Sequence, residues 1–202
     1  MTKRIFHDIE QDDEWLKLRA GFITSSNFAA IQANPGKVFG DPAIQYAMKV
    51  AIESKTKRQI TTFKNDWMIQ GNEREADARL LYSNLNFVEV DLGGFMEYGR
   101  FGSSSDGLVE TDGMVEIKCV KFNTHFKRLL KGGYDTAYRR QIAGQLWIYD
   151  REYCDFVSYC PDFPTDKQLY TFRVERDRDQ ESVMIERLNE FVTVVDSYIK
   201  HL

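Results

Sequence analysis

The chain has 202 residues, 43% of them hydrophobic and 29% charged, with a net charge of −4; that length suits one domain, 1–202, with a sizeable core. Its 3 cysteines are odd in number and show no CxxC spacing, and its 3 histidines, His7, His125 and His201, are scattered. This excludes a disulfide framework, a cysteine-held zinc or iron–sulfur cluster and a histidine metal site.

The first residues, Met1 to Asp8, lack the apolar core of a signal peptide, and no apolar run is long enough to span a bilayer. A cytoplasmic protein without a membrane partner is the expectation. Glu14 to Arg19 reads as a short helix, and Ile23-Thr24-Ser25-Ser26-Asn27 offers capping residues to a second helix from about Asn27. Pro35-Gly36-Lys37 and Asp41-Pro42 punctuate a loop before helical spacing from Ala43 to Glu53. Gly71 to Tyr82 is strongly helical. The period then shifts towards two: Phe87 to Leu92, Gly94 to Phe101, Ser105–Val109 and Met114–Val120 read as strands of one sheet, the last two joined by a turn at Glu110-Thr111-Asp112-Gly113. Asn123 to Lys131 and Asp135 to Tyr149 read as helices divided by Gly132-Gly133. Strands at Cys154 to Cys160 and Leu169 to Val174 and a helix at Gln180 to Ile199 complete an α/β fold, with a central sheet flanked by helices.

The chemistry concentrates around Ser104-Ser105-Asp106-Gly107 and Val115-Glu116-Ile117-Lys118-Cys119. Glu116 and Lys118 leave one face of their strand. With Asp106 before the turn, two carboxylates and an ammonium meet where a metal-assisted phosphodiesterase needs them. Asp106, Glu116 and the Ile117 carbonyl are hard oxygen ligands suited to Mg²⁺, and Lys118 stands where it can orient or help deprotonate a water. Glu75 brings a third carboxylate on a helix. Gln141 and Gln145, one helical turn apart, bring amides that fix a ligand or water without adding charge. Blander readings use the same residues: Asp106 as a turn cap, Glu116 and Lys118 as an exposed charge pair, Glu75 with Arg79 as a surface i,i+4 ion pair, and the glutamines as a polar helix face. Basic residues cluster at Lys55-Thr56-Lys57-Arg58, Lys127-Arg128-Leu129-Leu130-Lys131 and Arg139-Arg140, so the acidic net charge leaves a nucleic-acid partner open.

In order along the chain, Trp15-x3-Arg19-x-Gly21-x-Ile23-Thr24-x-Ser26, Gly71-x3-Glu75-x2-Ala78-Arg79, Ser104-x-Asp106-Gly107, Glu116-x-Lys118-Cys119 and Gln141-x5-Trp147 resemble the lambda exonuclease, or YqaJ-like viral recombinase, family of the PD-(D/E)xK nuclease superfamily. The resemblance runs from about Glu14 to Pro161. It implies a restriction-endonuclease-like core and a phage- or prophage-encoded, Mg²⁺-dependent, processive 5′→3′ exonuclease. Such enzymes act on linear double-stranded DNA, release mononucleotides and leave 3′ overhangs for recombination. Carried over, Asp106 and Glu116 are ligands of a two-metal site in which Mn²⁺ can substitute, with Glu75 an auxiliary acid, Lys118 the catalytic lysine and Gln141 the active-site glutamine. Arg19, Ser26 and Ser104 match a pocket for the terminal 5′-phosphate, and Met68 falls near an apolar wedge for the end base pair. A ring-shaped homotrimer and a single-strand annealing protein as partner are also implied. Ser105 stands where the superfamily's name-giving proline would be. A structure- or site-specific endonuclease and a catalytically inert DNA-end-binding module are the alternatives.

Overall fold

The computed structural model describes residues 2–9, 13–33, 36–60 and 66–202, and gives no side chains for 66–73. The chain opens with strand β1 (Arg4–His7), helix α1 (Asp13–Arg19) and the short strand β2 (Ile23–Thr24). A 3-10 turn leads to the single-turn helix α2 (Phe28–Ile31), followed by the long helices α3 (Asp41–Thr56) and α4 (Asp66–Asn86). Five strands follow: β3 (Val90–Asp91), β4 (Phe95–Tyr98), β5 (Phe101–Ser103), β6 (Gly107–Val109) and β7 (Gly113–Cys119). Helices α5 (Phe122–Lys131) and α6 (Arg139–Tyr149) cross over to strands β8 (Tyr153–Tyr159) and β9 (Leu169–Glu175), and α7 (Arg178–Ile199) ends the fold.

Local chemistry sets several of these boundaries. Helix α3 starts on Asp41-Pro42, whose negative charge and fixed φ suit a first turn, and stops at Lys57 in the left-handed region (φ 55°). The Asp177 side chain caps α7 by accepting the Gln180 N–H at 3.0 Å.

The strands make two sheets. The main one runs β3-β6-β7-β8-β9, antiparallel except where β7 and β8 lie parallel. Only that parallel pair needs a long crossover, and α5 and α6 supply it. One face of the sheet places Met114, Cys154 and Phe156 in a core with α2, α3, α6 and α7. The other packs Val115, Ile117, Val157 and Tyr159 against Ala78 and Tyr82 of α4. With both faces covered, β7 is buried from Gly113 through Ile117. Helix α6 fits closely because a Cβ at Gly144 would stand 2.5 Å from the Phe28 ring.

The mixed α/β architecture is the expected one, but the single sheet divides. Gly94 to Phe101 is a hairpin, reversing at Gly99 (φ 64°), and it belongs to a second sheet ordered β1-β4-β5-β2. The strand expected over Phe87 to Leu92 shrinks to Val90–Asp91, because Phe87 takes φ 56° to turn the chain out of α4 and is 95% exposed. Helical geometry expected from Asp135 begins as a 3-10 turn, Thr136–Tyr138, before α6 starts at Arg139. Among the described residues, no helix is long and apolar enough to cross a membrane.

Candidate active site

The β6–β7 ladder ends at the Gly107–Val115 pair. Two residues on, the Ile117 N–H therefore has no partner on β6, and Asp106 Oδ2 accepts it at 2.6 Å. This bond places the Asp106 carboxylate beside the strand that carries Glu116 and Lys118. The Ile117 residue thus contributes a backbone donor to Asp106.

Glu116 is 1% exposed, which removes the reading of an exposed charge pair. Lys118 Nζ contacts its Oε1. Gln141 Nε2 donates to Oε1 and Gln145 Nε2 to Oε2, each at 2.6 Å. Both amides project from one face of α6, so a buried carboxylate that would be costly alone is paired and bonded on both oxygens.

The same helix face continues to Tyr149, eight residues after Gln141. Its hydroxyl accepts the Ser105 N–H at 3.2 Å and lies 2.7 Å from the Gly93 carbonyl and 3.0 Å from that of Ser103, to one of which it donates. Burial pushes the Tyr149 phenol well above its usual range, so it remains protonated and able to donate. The loop holding Asp106 also depends on Gly93, where a Cβ would stand 1.8 Å from the Ser105 carbonyl oxygen. In place of a proline ring, Ser105 uses its hydroxyl, which lies 2.9 Å from the Gly107 carbonyl and 3.1 Å from that of Val115.

Helix α4 closes the other side. Arg79 donates through Nε to the Asp106 carbonyl at 2.6 Å and through Nη2 to Glu75 Oε1 at 2.9 Å. Neither side chain of this ion pair is exposed, at 19% and 17%; it is part of the site wall. Burial raises the Glu75 carboxyl above its ordinary range, against the pull of Arg79. Burial and the nearby Glu116 and Glu75 charges raise Asp106 well above it. Burial opposes charge on Lys118, yet Glu116 and Asp106 overcome it and hold the ammonium protonated beyond its usual range. The site is therefore rich in carboxylates that resist ionising together.

A second cluster forms at Ser104. Its Oγ accepts the Arg19 Nη1–H at 2.8 Å and the Trp15 Nε1–H at 2.9 Å, and the guanidinium lies 4.2 Å from the Trp15 ring centroid. With two donors on its oxygen, the hydroxyl proton of Ser104 is free to point elsewhere. Arg19 Nε is buried without a hydrogen-bond partner. Ser26 is exposed, and its Oγ lies 3.3 Å from Thr24 Oγ1 and 3.4 Å from Asn27 Nδ2 rather than against Arg19 or Ser104. The two segments still run side by side, joined by the 2.6 Å Ser25–Ser103 hydroxyl contact. Met68 lies in the opening turns of α4, and its side chain falls outside the described residues.

The two clusters share Ser104. Its hydroxyl takes Arg19, while its carbonyl accepts Gln145 Nε2 at 3.1 Å, the amide that also holds Glu116. Gln145 meets the carboxylate as its spacing from Gln141 suggested, and Tyr149, Trp15 and Arg79 join the residues expected from sequence. The spacing of Gln141, Gln145 and Tyr149 by fours was the available signal for Tyr149.

A divalent cation suits these donors by type, since Asp106, Glu116 and Glu75 are hard carboxylate oxygens. Among the described residues, however, no three or more His, Cys, Asp or Glu side chains are gathered closely enough to hold an ion. Lys118, Gln141, Gln145 and Arg79 engage the Glu116 and Glu75 oxygens instead.

A two-layered carboxylate–lysine site on a restriction-endonuclease-like sheet defines a nuclease class, and comparison with known proteins agrees. The chain belongs to the YqaJ-like viral recombinase domain family, whose model matches residues 14–152. It is similar in structure to an alkaline exonuclease from Laribacter hongkongensis, with TM-score 0.84 and 28% identity over 94% of this chain and 95% of that one. The same enzyme in complex with dAMP matches with TM-score 0.85 at 28% identity, again over 94% and 95% of the two chains. A phage-related exonuclease from Haemophilus somnus shares the fold, with TM-score 0.71 and 15% identity over 91% and 96% of the chains. Comparison with curated proteins yields no match.

Proposed function

We propose that this protein is a magnesium-dependent 5′→3′ exonuclease that digests linear double-stranded DNA from ends bearing a 5′-phosphate. The observation that supports this reading is the double use of Ser104. A candidate anion pocket and a candidate cleavage site joined through one residue give a fixed spacing between a terminal phosphate and the bond to be cut. Arg19 supplies the guanidinium that suits a phosphate, and Ser104 a hydroxyl donor beside it.

In this reading Asp106, Glu116 and Glu75, with the Ile117 carbonyl, would hold two magnesium ions, or manganese in their place, once their oxygens exchange the contacts to Lys118, Gln141 and Arg79 for the ions. When bound, such ions offset charge developing on phosphoryl oxygens and lower the pKa of an attacking water. Lys118 holds its proton beside the reacting phosphate and orients the water, while Gln141 and Gln145 keep Glu116 in place. The same assignment extends to processive release of mononucleotides by a homotrimeric ring, Met68 as the wedge at the end base pair, Ser26 as a further phosphate donor, and a single-strand annealing protein that receives the 3′ overhang. A cytoplasmic location in a bacterial host follows from that role.

The test is incubation of end-labelled linear duplex and covalently closed circular duplex with magnesium and with chelator. Nucleotide release from the linear substrate alone, lost on chelation, is the expected result. Nicking of the closed circle would transfer the site to an endonuclease, and binding without turnover in magnesium and manganese would make it an end-binding module.

A further inference from the structure

Helix α5 presents its polar side to the sheet and its apolar side to solvent. His125 and Arg128 are buried, and both meet the Ser158 hydroxyl on β8, through Nδ1 and Nη1 at 2.9 Å each. His125 Nε2 lies 2.8 Å from the Lys167 carbonyl, and the Arg128 guanidinium lies 4.9 Å from the Phe156 ring centroid. These directional contacts fix how the helix is rotated about its axis. Phe122, Phe126 and Leu130, spaced by fours, are consequently 63%, 52% and 73% exposed. An aligned apolar stripe of this kind marks a surface that meets something.

Charge indicates what it meets. Between residues 121 and 149 the only carboxylate is Asp135, against five cations besides the buried Arg128, namely Lys121, Lys127, Lys131, Arg139 and Arg140, in a chain whose net charge is −4. Asp135 is already engaged in accepting the Ala137 N–H at 3.0 Å. Lys127 and Lys131 border a cavity of about 390 Å³ at the Gly132-Gly133 turn. The stripe also begins near the chemistry, since Phe122 is four residues past Lys118 and so no more than about 14 Å away along the chain.

We infer that this face of α5 is a track for single-stranded DNA, taking the strand left intact as its complement is digested; the inference rests on the exonuclease reading. Phenyl rings stack on unpaired bases without reading their sequence, while lysines follow the phosphates. Duplex DNA keeps its bases stacked on one another and gives such rings no partner, so the aromatic stripe favours a single strand over a double one.

The test measures binding of a fluorescein-labelled oligo(dT) and of a labelled blunt duplex by anisotropy, in chelator so that nothing is cut. Wild type, Phe122→Ala/Phe126→Ala and Lys127→Ala/Lys131→Ala are compared. All four positions are exposed, so the variants keep their core. The phenylalanine pair is expected to lose tenfold or more in oligo(dT) affinity with duplex affinity unchanged. The lysine pair should reduce the slope of log affinity against log salt by about 1.4. Unchanged oligo(dT) binding and salt slope would overturn the inference. Equal loss on duplex would make α5 a duplex-backbone contact, and a change in sedimentation mass of the phenylalanine variant would make it a subunit contact; either also overturns it. Nucleotide release by wild type with magnesium is scored separately. A protein that binds oligo(dT) through α5 but releases nothing would defeat the exonuclease reading while leaving the binding face in place.

Discussion

The Gln145 amide and the Glu116 carboxylate lie 2.6 Å apart in the protein interior, and the same nitrogen reaches the Ser104 carbonyl at 3.1 Å. Gln145→Leu keeps the bulk and removes both bonds. A bond to a charged group contributes about 1.5–3 kcal/mol, so nucleotide release from linear duplex should fall by roughly 10–100-fold. If Gln145 aligns the two clusters, the preference for phosphorylated over hydroxyl ends should fall with it. Loss of rate with that preference intact would confine Gln145 to supporting Glu116.

Lys118→Met and Asp106→Asn remove charge from the centre of the site. Each is expected to lower turnover by about 10²–10³-fold or more, measured as acid-soluble product from labelled duplex. Duplex binding in chelator should survive both changes, and wild-type digestion by either variant would remove that residue from the chemistry.

Arg19→Ala takes the guanidinium off Ser104. The expected result is a loss of about 10–100-fold in the rate on 5′-phosphorylated ends, with ends bearing a 5′-hydroxyl much less affected. Equal loss on both would make Arg19 a support for Trp15 and Ser104 rather than a phosphate group's partner.

Tyr149→Phe deletes one oxygen between α6 and the loop of Asp106. It leaves the buried Ser105 N–H and a backbone carbonyl without their partner, a cost of about 1–3 kcal/mol and a lowering of Tm by about 2–12 °C, read by thermal denaturation.

His125 gives a pH dependence. Burial lowers its pKa below the ordinary 6.5, and the neighbouring Arg128 charge acts in the same direction. The unfolded chain therefore binds the proton more readily than the folded one. The stability His125 contributes is complete above its unfolded value and is lost as pH falls through the folded one. Melting curves from pH 7.5 down to pH 5 should show a steeper loss for wild type than for His125→Gln; parallel curves would remove His125 as the source.

Strand parity made the centre of the candidate site readable. Glu116 and Lys118, two residues apart in an apolar run, had to share a face wherever the strand lay. Sequence pairs Arg79 with Glu75, but its hold on the Asp106 carbonyl spans 27 residues and depends on how α4 crosses β7. Tyr149 was hidden by type, since tyrosine at the end of an amphipathic helix reads as core. Helix α5 went further: its periodicity marks Phe122, Phe126 and Leu130 as a face to bury, yet polar bonds from His125 and Arg128 to Ser158 turn it outward. Strands β1 and β2 are short and lie at the edges of their sheet, where composition leaves little trace.

Ser105 makes position 105 conditional on position 149. Proline there has no N–H for the Tyr149 oxygen and no hydroxyl for the Val115 carbonyl, so reverting to the superfamily's usual residue should damage this chain. The penalty should shrink in a Tyr149→Phe background, where the lost donor no longer has an acceptor to serve. Positions 105 and 149 are then coupled by epistasis, and a change at one alters what the other can contribute.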